Sequence, residues 1–171
     1  MSPTAPIATA IAKLCLQCGL CCNGVLFKDV ELQPGDAPAT LKRLGISLTK
    51  TNKFPQPCGA LNGCECRIYA NRPTRCRQFE CALLKAVVAS EVEVPAALRM
   101  IRDTQRKAEQ VKRLLRELGD MEESRALSLR FKRMQRRFNS GNFDETKIEV
   151  FGDLTLAVHD LNLALRAKFY P

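Results

Sequence analysis

The chain has 171 residues, of which 46% are hydrophobic and 26% are charged, and its formal net charge is +9. These proportions are typical of one compact folded domain, so they exclude a disordered, collagen-like or low-complexity chain. Tryptophan is absent, and eight Phe with two Tyr leave few rings for stacking on nucleic-acid bases.

The N-terminus and the hydropathy pattern predict a cytoplasmic protein. Residues 1–13 lack a basic start, and Pro3 and Pro6 interrupt their weak apolar stretch, so we expect no export signal. No apolar run approaches the roughly 18–20 residues that cross a bilayer, and we expect no membrane span. Thiols in such a protein stay reduced and serve as metal ligands or catalysts rather than as disulfides.

The first half of the chain predicts loops with short regular elements. All nine cysteines lie between Cys15 and Cys81, together with most of the proline and glycine. We expect a short strand at residues 25–27 and a short helix from Asp36 or Pro38 to Leu44. Such a composition is typical of backbone that wraps a centre.

The second half of the chain predicts helices. Residues 82–89 are apolar enough for a buried helix, and Pro95 suits the first turn of a long helix that ends at residues 119–120. The apolar stripe of the long helix has nearly heptad spacing. Its members are Val94, Ala97, Ile101, Thr104, Ala108, Val111, Leu115 and Leu118.

Two further helices complete the predicted fold. One should run from residues 120–122 to 139 and fold back on the long helix, and the last should run from residues 152–153 to 169. The predicted fold class is mainly α: an irregular cysteine-rich N-terminal half with short β-pairs at most, packed on a C-terminal helical bundle that includes an antiparallel helical hairpin. We divide the chain into a metal-binding region, residues 1–85, and a helical region, residues 86–171, which together form one compact unit.

The cysteines form two groups whose spacing indicates metal ligation. In the first group, three cysteines at successive spacings of three are followed by a fourth. Ferredoxin-type runs of this kind ligate three corners of a cluster and take the fourth ligand from farther away. The first group is Cys15, Cys18, Cys21 and Cys22, and the second is Cys58, Cys64, Cys66, Cys76 and Cys81.

Four interpretations of these cysteines are possible. Inert core cysteines are disfavoured because four occur within eight residues, and a disulfide framework is disfavoured by the odd number and the reducing compartment. Structural zinc usually uses two Cys-x-x-Cys knuckles, which the second group fits poorly. An iron–sulfur cluster tolerates irregular ligand spacing and is the favoured interpretation, with zinc as the alternative. Among clusters, the [4Fe–4S] type is favoured.

The combined pattern resembles a known family. Cys-x-x-Cys-x-x-Cys-Cys is followed by Pro-Cys and then by Cys-x-Ile-Tyr-x-x-Arg-Pro-x-x-Cys-Arg-x-Phe-x-Cys, over residues 15–85. This pattern is similar to that of the CxxCxxCC family of zinc- or iron-chelating and Fe–S-cluster-containing proteins, which has a branch of flagellin lysine N-methylases. The resemblance implies metal chelation and leaves Cys64 outside the ligand set. The implied metal and cofactor ligands are Cys15, Cys18, Cys21, Cys22, Cys58, Cys66, Cys76 and Cys81.

Charged residues suggest further roles beside metal binding. Four arginines among the cysteines, at positions 67, 72, 75 and 77, either raise a cluster's reduction potential or only balance thiolates and pair with Glu65 and Glu80. Residues 99–137 hold thirteen basic and six acidic side chains, which suits a solvated helix face better than a nucleic-acid site. His159, the only histidine, is more consistent with an exposed position than with a ligand.

Three functions remain open on the sequence. The first is an iron–sulfur protein with a redox or accessory role and an unidentified redox or protein partner. The second is a zinc-stapled interaction module that docks through its basic helical hairpin. The third is a cluster-dependent enzyme related to the lysine N-methylases, whose catalytic residues are unknown.

Overall fold

The computed structural model of the protein describes residues 14–170, so the predicted absence of an export signal concerns residues outside it. Residues 14–18 are helical and are followed by short strands and helices. These are β1 (Asp29–Glu31), α1 (Pro38–Arg43), β2 (Lys53–Pro55), β3 (Leu61–Asn62), β4 (Glu65–Cys66), a 3₁₀ turn (Tyr69–Asn71), α2 (Thr74–Gln78) and α3 (Ala82–Val88). The long helices are α4 (Val94–Glu117), α5 (Leu127–Asn139) and α6 (Glu145–Lys168).

The predicted mainly α fold is confirmed. The strands form two antiparallel pairs, β1 with β2 and β3 with β4, and the helices account for most of the remaining regular structure in residues 14–170. None of the helices in that part of the chain has the length and apolarity needed to cross a membrane.

The long helix α4 follows the predicted stripe. Pro95 lies in its first turn, and the stripe from Ala97 to Leu118 is buried because it faces α6 along most of its length and α5 near its end. The hydroxyl of Thr104, the polar member of the stripe, donates to the Met100 carbonyl at 2.8 Å, which satisfies it inside the core.

Three predicted boundaries are wrong. The first strand lies at Asp29–Glu31, because the chain bends at residues 25 and 26, where the Leu26 amide donates to the Leu20 carbonyl at 3.1 Å. Helix α5 begins at Leu127 rather than at residues 120–122, because the buried Asp120 carboxylate holds the preceding loop. Helix α6 begins at Glu145 rather than at residues 152–153, because Asp144 caps it by accepting from the Lys147 amide at 2.9 Å.

Two hydrophobic cores support the fold. The main core joins the three long helices and α3 to four residues of the first half, Leu14, Leu20, Val25 and Leu26. The minor core lies under the two strand pairs, and its buried members are Leu41, Ile46, Phe54, Ala60 and Ile68. The first cysteine loop therefore shares a core with the helical half, whereas the second cysteine group has a core of its own.

Gly24 lies at a close approach between the two halves. The backbone carbonyl of Gly24 accepts from the Leu127 amide at 2.9 Å, and the φ of +79° at this position favours glycine. A Cβ atom at this position would lie 3.0 Å from the Cα of Ala126 and 3.1 Å from the Cδ of Pro57. A side chain there would push the start of α5 away from the cysteine loops.

Candidate metal centre

All nine cysteines line one cavity of about 960 Å³. Each of them is a free thiol, so the disulfide interpretation is not met. Eight are half-buried, and Cys15 is the most exposed of the nine. The cavity therefore brings together every cysteine that the sequence singled out, and also Cys64.

The first cysteine group is built on a short helix and a tight turn. Helical residues 14–18 carry Cys15 and Cys18, and Gly19 then takes a φ of +63° that reverses the chain. The amide of Cys22 donates to the Gly19 carbonyl at 2.9 Å and closes the turn. Because Leu14 and Leu20 on either side are buried in the main core, the loop presents its thiols to the cavity from a fixed base.

The second cysteine group is held by the β3–β4 pair and by α2. Leu61 pairs with Cys66, and its amide donates to the Cys58 carbonyl at 3.0 Å, so Cys58 and Cys66 are neighbours. Helix α2 carries Cys76, and Asp36 holds that helix because its Oδ1 accepts from the amide and the hydroxyl of Thr74, both at 2.8 Å. The sequence pattern placed Asp36 only at the start of a short helix and gave no signal of its contact with Thr74.

Cys81 joins the first group although it follows the second in the chain. It caps helix α3, and its Sγ accepts a hydrogen bond from the Leu84 amide at 3.4 Å. Leu84 is buried in the main core, as are the two leucines that anchor the first cysteine loop. Amide donors of this kind to cysteine sulfur are one of the levers that tune a ligated cluster.

Burial favours the protonated form of several thiols in this cavity. Burial raises the pKa of Cys15 to about 11 and the pKa values of Cys18 and Cys76 to about 12. The Sγ atoms of Cys21 and Cys22 lie 3.4 Å apart, and the hydrogen bond between them lowers the pKa of Cys21 and raises that of Cys22. A bound cation would displace these protons, so its affinity should fall as the pH falls.

Arg72 supplies positive charge at the cavity wall. Its guanidinium lies 3.7 Å from the centre of the Tyr69 ring, and its Nε donates to the Tyr69 carbonyl at 3.1 Å. Burial outweighs this charge, but the charge of Arg72 opposes the rise in pKa of both Cys15 and Cys76. Tyr69 thus holds a cation near thiols of both cysteine groups.

The predicted ion pairs of the cysteine-region arginines do not form. Among residues 14–170, no salt bridge joins these arginines to Glu65 or Glu80. Arg67 donates to the Gly59 carbonyl, and Arg77 donates to the Thr74 hydroxyl at 3.1 Å. These arginines therefore do not serve as ion-pair partners of Glu65 and Glu80.

The thiols surround a volume rather than a point. Within the described part of the chain, no three His, Cys, Asp or Glu side chains converge closely enough to hold a single metal ion. His159 lies on an exposed face of α6 and does not line the cavity.

Many basic side chains of residues 99–137 have acidic partners within the chain. Arg116 pairs with Glu109 at 2.7 Å and with Glu123 at 2.8 Å, and Arg130 pairs with Asp120 inside the fold. The pairs of Arg116 are typical of a solvated helical surface, whereas the Arg130–Asp120 pair is buried. None of them indicates a particular binding partner.

A mostly helical protein with free cysteines around one cavity falls in the class of cysteine-ligated metal-binding proteins. Residues 14–113 match the family model CxxCxxCC, described as "Putative zinc- or iron-chelating domain". Because the match covers more than half of the chain and includes all nine cysteines, the protein belongs to the CxxCxxCC family. Comparison with curated proteins finds no match, and comparison with solved structures finds none either.

Proposed function

We propose that this protein binds an iron–sulfur cofactor in its cysteine-lined cavity. It would act in the cytoplasm, in electron transfer or as an accessory redox component. The observation that carries the proposal is the spread of the thiols around a cavity of about 960 Å³ without convergence on one ion. Two thiolates on one zinc ion lie about 3.8 Å apart, because each Zn–S bond is about 2.3 Å long. A polynuclear cluster places its cysteine ligands farther apart.

The donor set fits such a cluster. Thiolates are soft ligands that select zinc, copper(I) and iron–sulfur clusters, and all the candidate donors here are thiols. The proposed ligands are the eight cysteines of the family pattern, and Cys64 is left out. A bound iron–sulfur cluster would supply one-electron transfer.

The chain's own contribution is to enclose and polarise the site. Phe27 and Phe79 pack edge to face with ring centres 5.0 Å apart, and both line the cavity beside the buried Leu20 and Phe169. These apolar groups exclude water from the inner side of the thiols. Arg72 and the Leu84 amide offer positive charge and a hydrogen bond, both of which stabilise a more reduced cluster.

The test is the metal content of protein made and purified without oxygen. We expect brown protein with broad visible absorption that is lost on reduction, and iron and acid-labile sulfide in nearly equal amounts. Colourless protein that carries stoichiometric zinc under the same conditions would contradict the proposal.

Zinc is the second candidate, and one distance favours it. The 3.4 Å between the Sγ atoms of Cys21 and Cys22 is close to the spacing of two thiolates on one zinc ion. In that case the metal would be structural, and the helical surface would serve as the interaction module. The same metal measurement separates the two candidates.

Arg72 should set the reduction potential of the cluster. Replacing Arg72 by alanine removes a cation that acts on two ligand thiols, and we expect the potential to fall by on the order of 50 mV, or about 1 kcal/mol of charge interaction. Anaerobic redox titration of the visible spectrum measures it. Arg77→Ala is the matched control, because Arg77 bonds to Thr74 beside Asp36 and should leave the potential unchanged. An equal shift in both variants would mean that Arg72 has no specific role.

A further inference from the structure

We infer that the eight cysteines form two separate four-thiol centres. The first centre consists of Cys15, Cys18, Cys21 and Cys81, and the second consists of Cys22, Cys58, Cys66 and Cys76. The inference rests on the proposed ligation of metal by these cysteines, but it does not depend on whether the metal is iron or zinc.

The first observation is that the two sets pack on different cores. Cys18, Cys21 and Cys81 contact the main core. Cys58, Cys66 and Cys76 contact the minor core. Because these cores are separate clusters of buried side chains, these six cysteines lie against two different walls of the shared cavity, three on each.

The backbone makes the same division. Cys15, Cys18 and Cys21 follow one another on the first loop, and Cys81 reaches them because α3 packs its Leu84 in the main core. On the other side, the Cys58 amide donates to the Cys22 carbonyl at 2.8 Å, which ties Cys22 to the second group. The Leu61–Cys66 pairing then keeps Cys66 near Cys58.

The adjacent pair Cys21 and Cys22 is then the junction between the centres. Their Sγ atoms are 3.4 Å apart, so the two centres would be close neighbours. The first set also has the ferredoxin arrangement, with three cysteines at spacings of three and a fourth from a distant part of the chain. The extra cysteine of the pair, Cys22, is free to serve the other centre, as the last cysteine of a ferredoxin run does in two-cluster proteins.

The test removes one ligand from each set in the full-length protein, purified without oxygen, and measures iron, sulfide and zinc per chain. Cys81→Ser and Cys76→Ser should each lower the metal content about twofold, and the double variant should lose nearly all of it. Cys64→Ser is the matched control and should keep the wild-type content, because Cys64 belongs to neither set. The Cys64 sulfur accepts from the Gln105 side-chain amide at 4.0 Å.

Complete loss of metal from either single variant, with the helical circular dichroism of the wild type, would overturn the inference in favour of one shared centre. If Cys81→Ser or Cys76→Ser fails to fold, Cys15→Ser and Cys58→Ser provide a second pair, for which the same twofold loss is expected. Two zinc ions per chain with the same halving would contradict the proposed iron–sulfur function but support two centres. Iron and sulfide that disappear together from each single ligand variant would support the iron–sulfur function but overturn the two centres.

Discussion

Replacement of Asp120 by alanine is expected to lower the free energy of unfolding by about 3–5 kcal/mol. The side chain of Asp120 is 0% exposed and that of Arg130 is 2% exposed, and the Arg130 Nε donates to Asp120 Oδ1 at 3.0 Å. Arg133 pairs with the other carboxylate oxygen at 2.7 Å. The substitution leaves the buried Arg130 guanidinium without its counter-charge, and this uncompensated charge is the source of the loss.

Urea denaturation followed by circular dichroism measures this effect. Glu123→Ala is the control, because Glu123 pairs with Arg116 on the surface, where an ion pair contributes about 0–1 kcal/mol. Metal content should not change in either variant, since Asp120 does not line the cysteine cavity. Equal, small losses of stability in the two variants would show that Arg130 finds another partner when Asp120 is removed.

Removal of the metal is expected to loosen the minor core and to leave the long helices folded. The minor core has only five buried residues, so metal ligation should supply much of the folding free energy around it. The main core joins α4, α5 and α6 without any ligand. Stripping the metal with a chelator under reducing conditions should therefore preserve most of the helical circular dichroism.

Limited proteolysis locates the loosened part. A ligand present at 100 times its Kd contributes about 2.7 kcal/mol, so its loss should raise the open population, and with it the cleavage rate, about 100-fold. We expect the first cut within residues 32–53, which connect β1 to β2 and contain no cysteine. The metal-bound protein is the control. Complete loss of the helix signal would mean instead that Leu14 and Leu20 cannot stay in the main core without metal.

The helical half shows what local sequence patterns predict and where they fail. The stripe of α4 is visible in the sequence because burial of one helix face repeats every three or four residues. Asp144 is also a local signal for the start of α6, because aspartate is a preferred helix cap. The predicted start at residues 152–153 is wrong because a helix tolerates an internal glycine such as Gly152 at a cost of about 1 kcal/mol. The late start of α5 had no local signal, because it depends on the buried pair of Asp120 with Arg130.

In the cysteine half, too, local sequence patterns predict some features and tertiary packing decides others. The cysteine pattern alone predicts a metal-binding protein, because three cysteines at successive spacings of three are typical of cluster ligation. The tertiary structure adds that Cys81 packs on the main core with the first loop, and that the Cys22 carbonyl accepts from the Cys58 amide of the second group. Those neighbours are separated by long loops, and the entropic cost of closing a loop changes so slowly with its length that spacing does not select a partner. The packing of α3 on the main core and of the strand pairs on the minor core selects it instead.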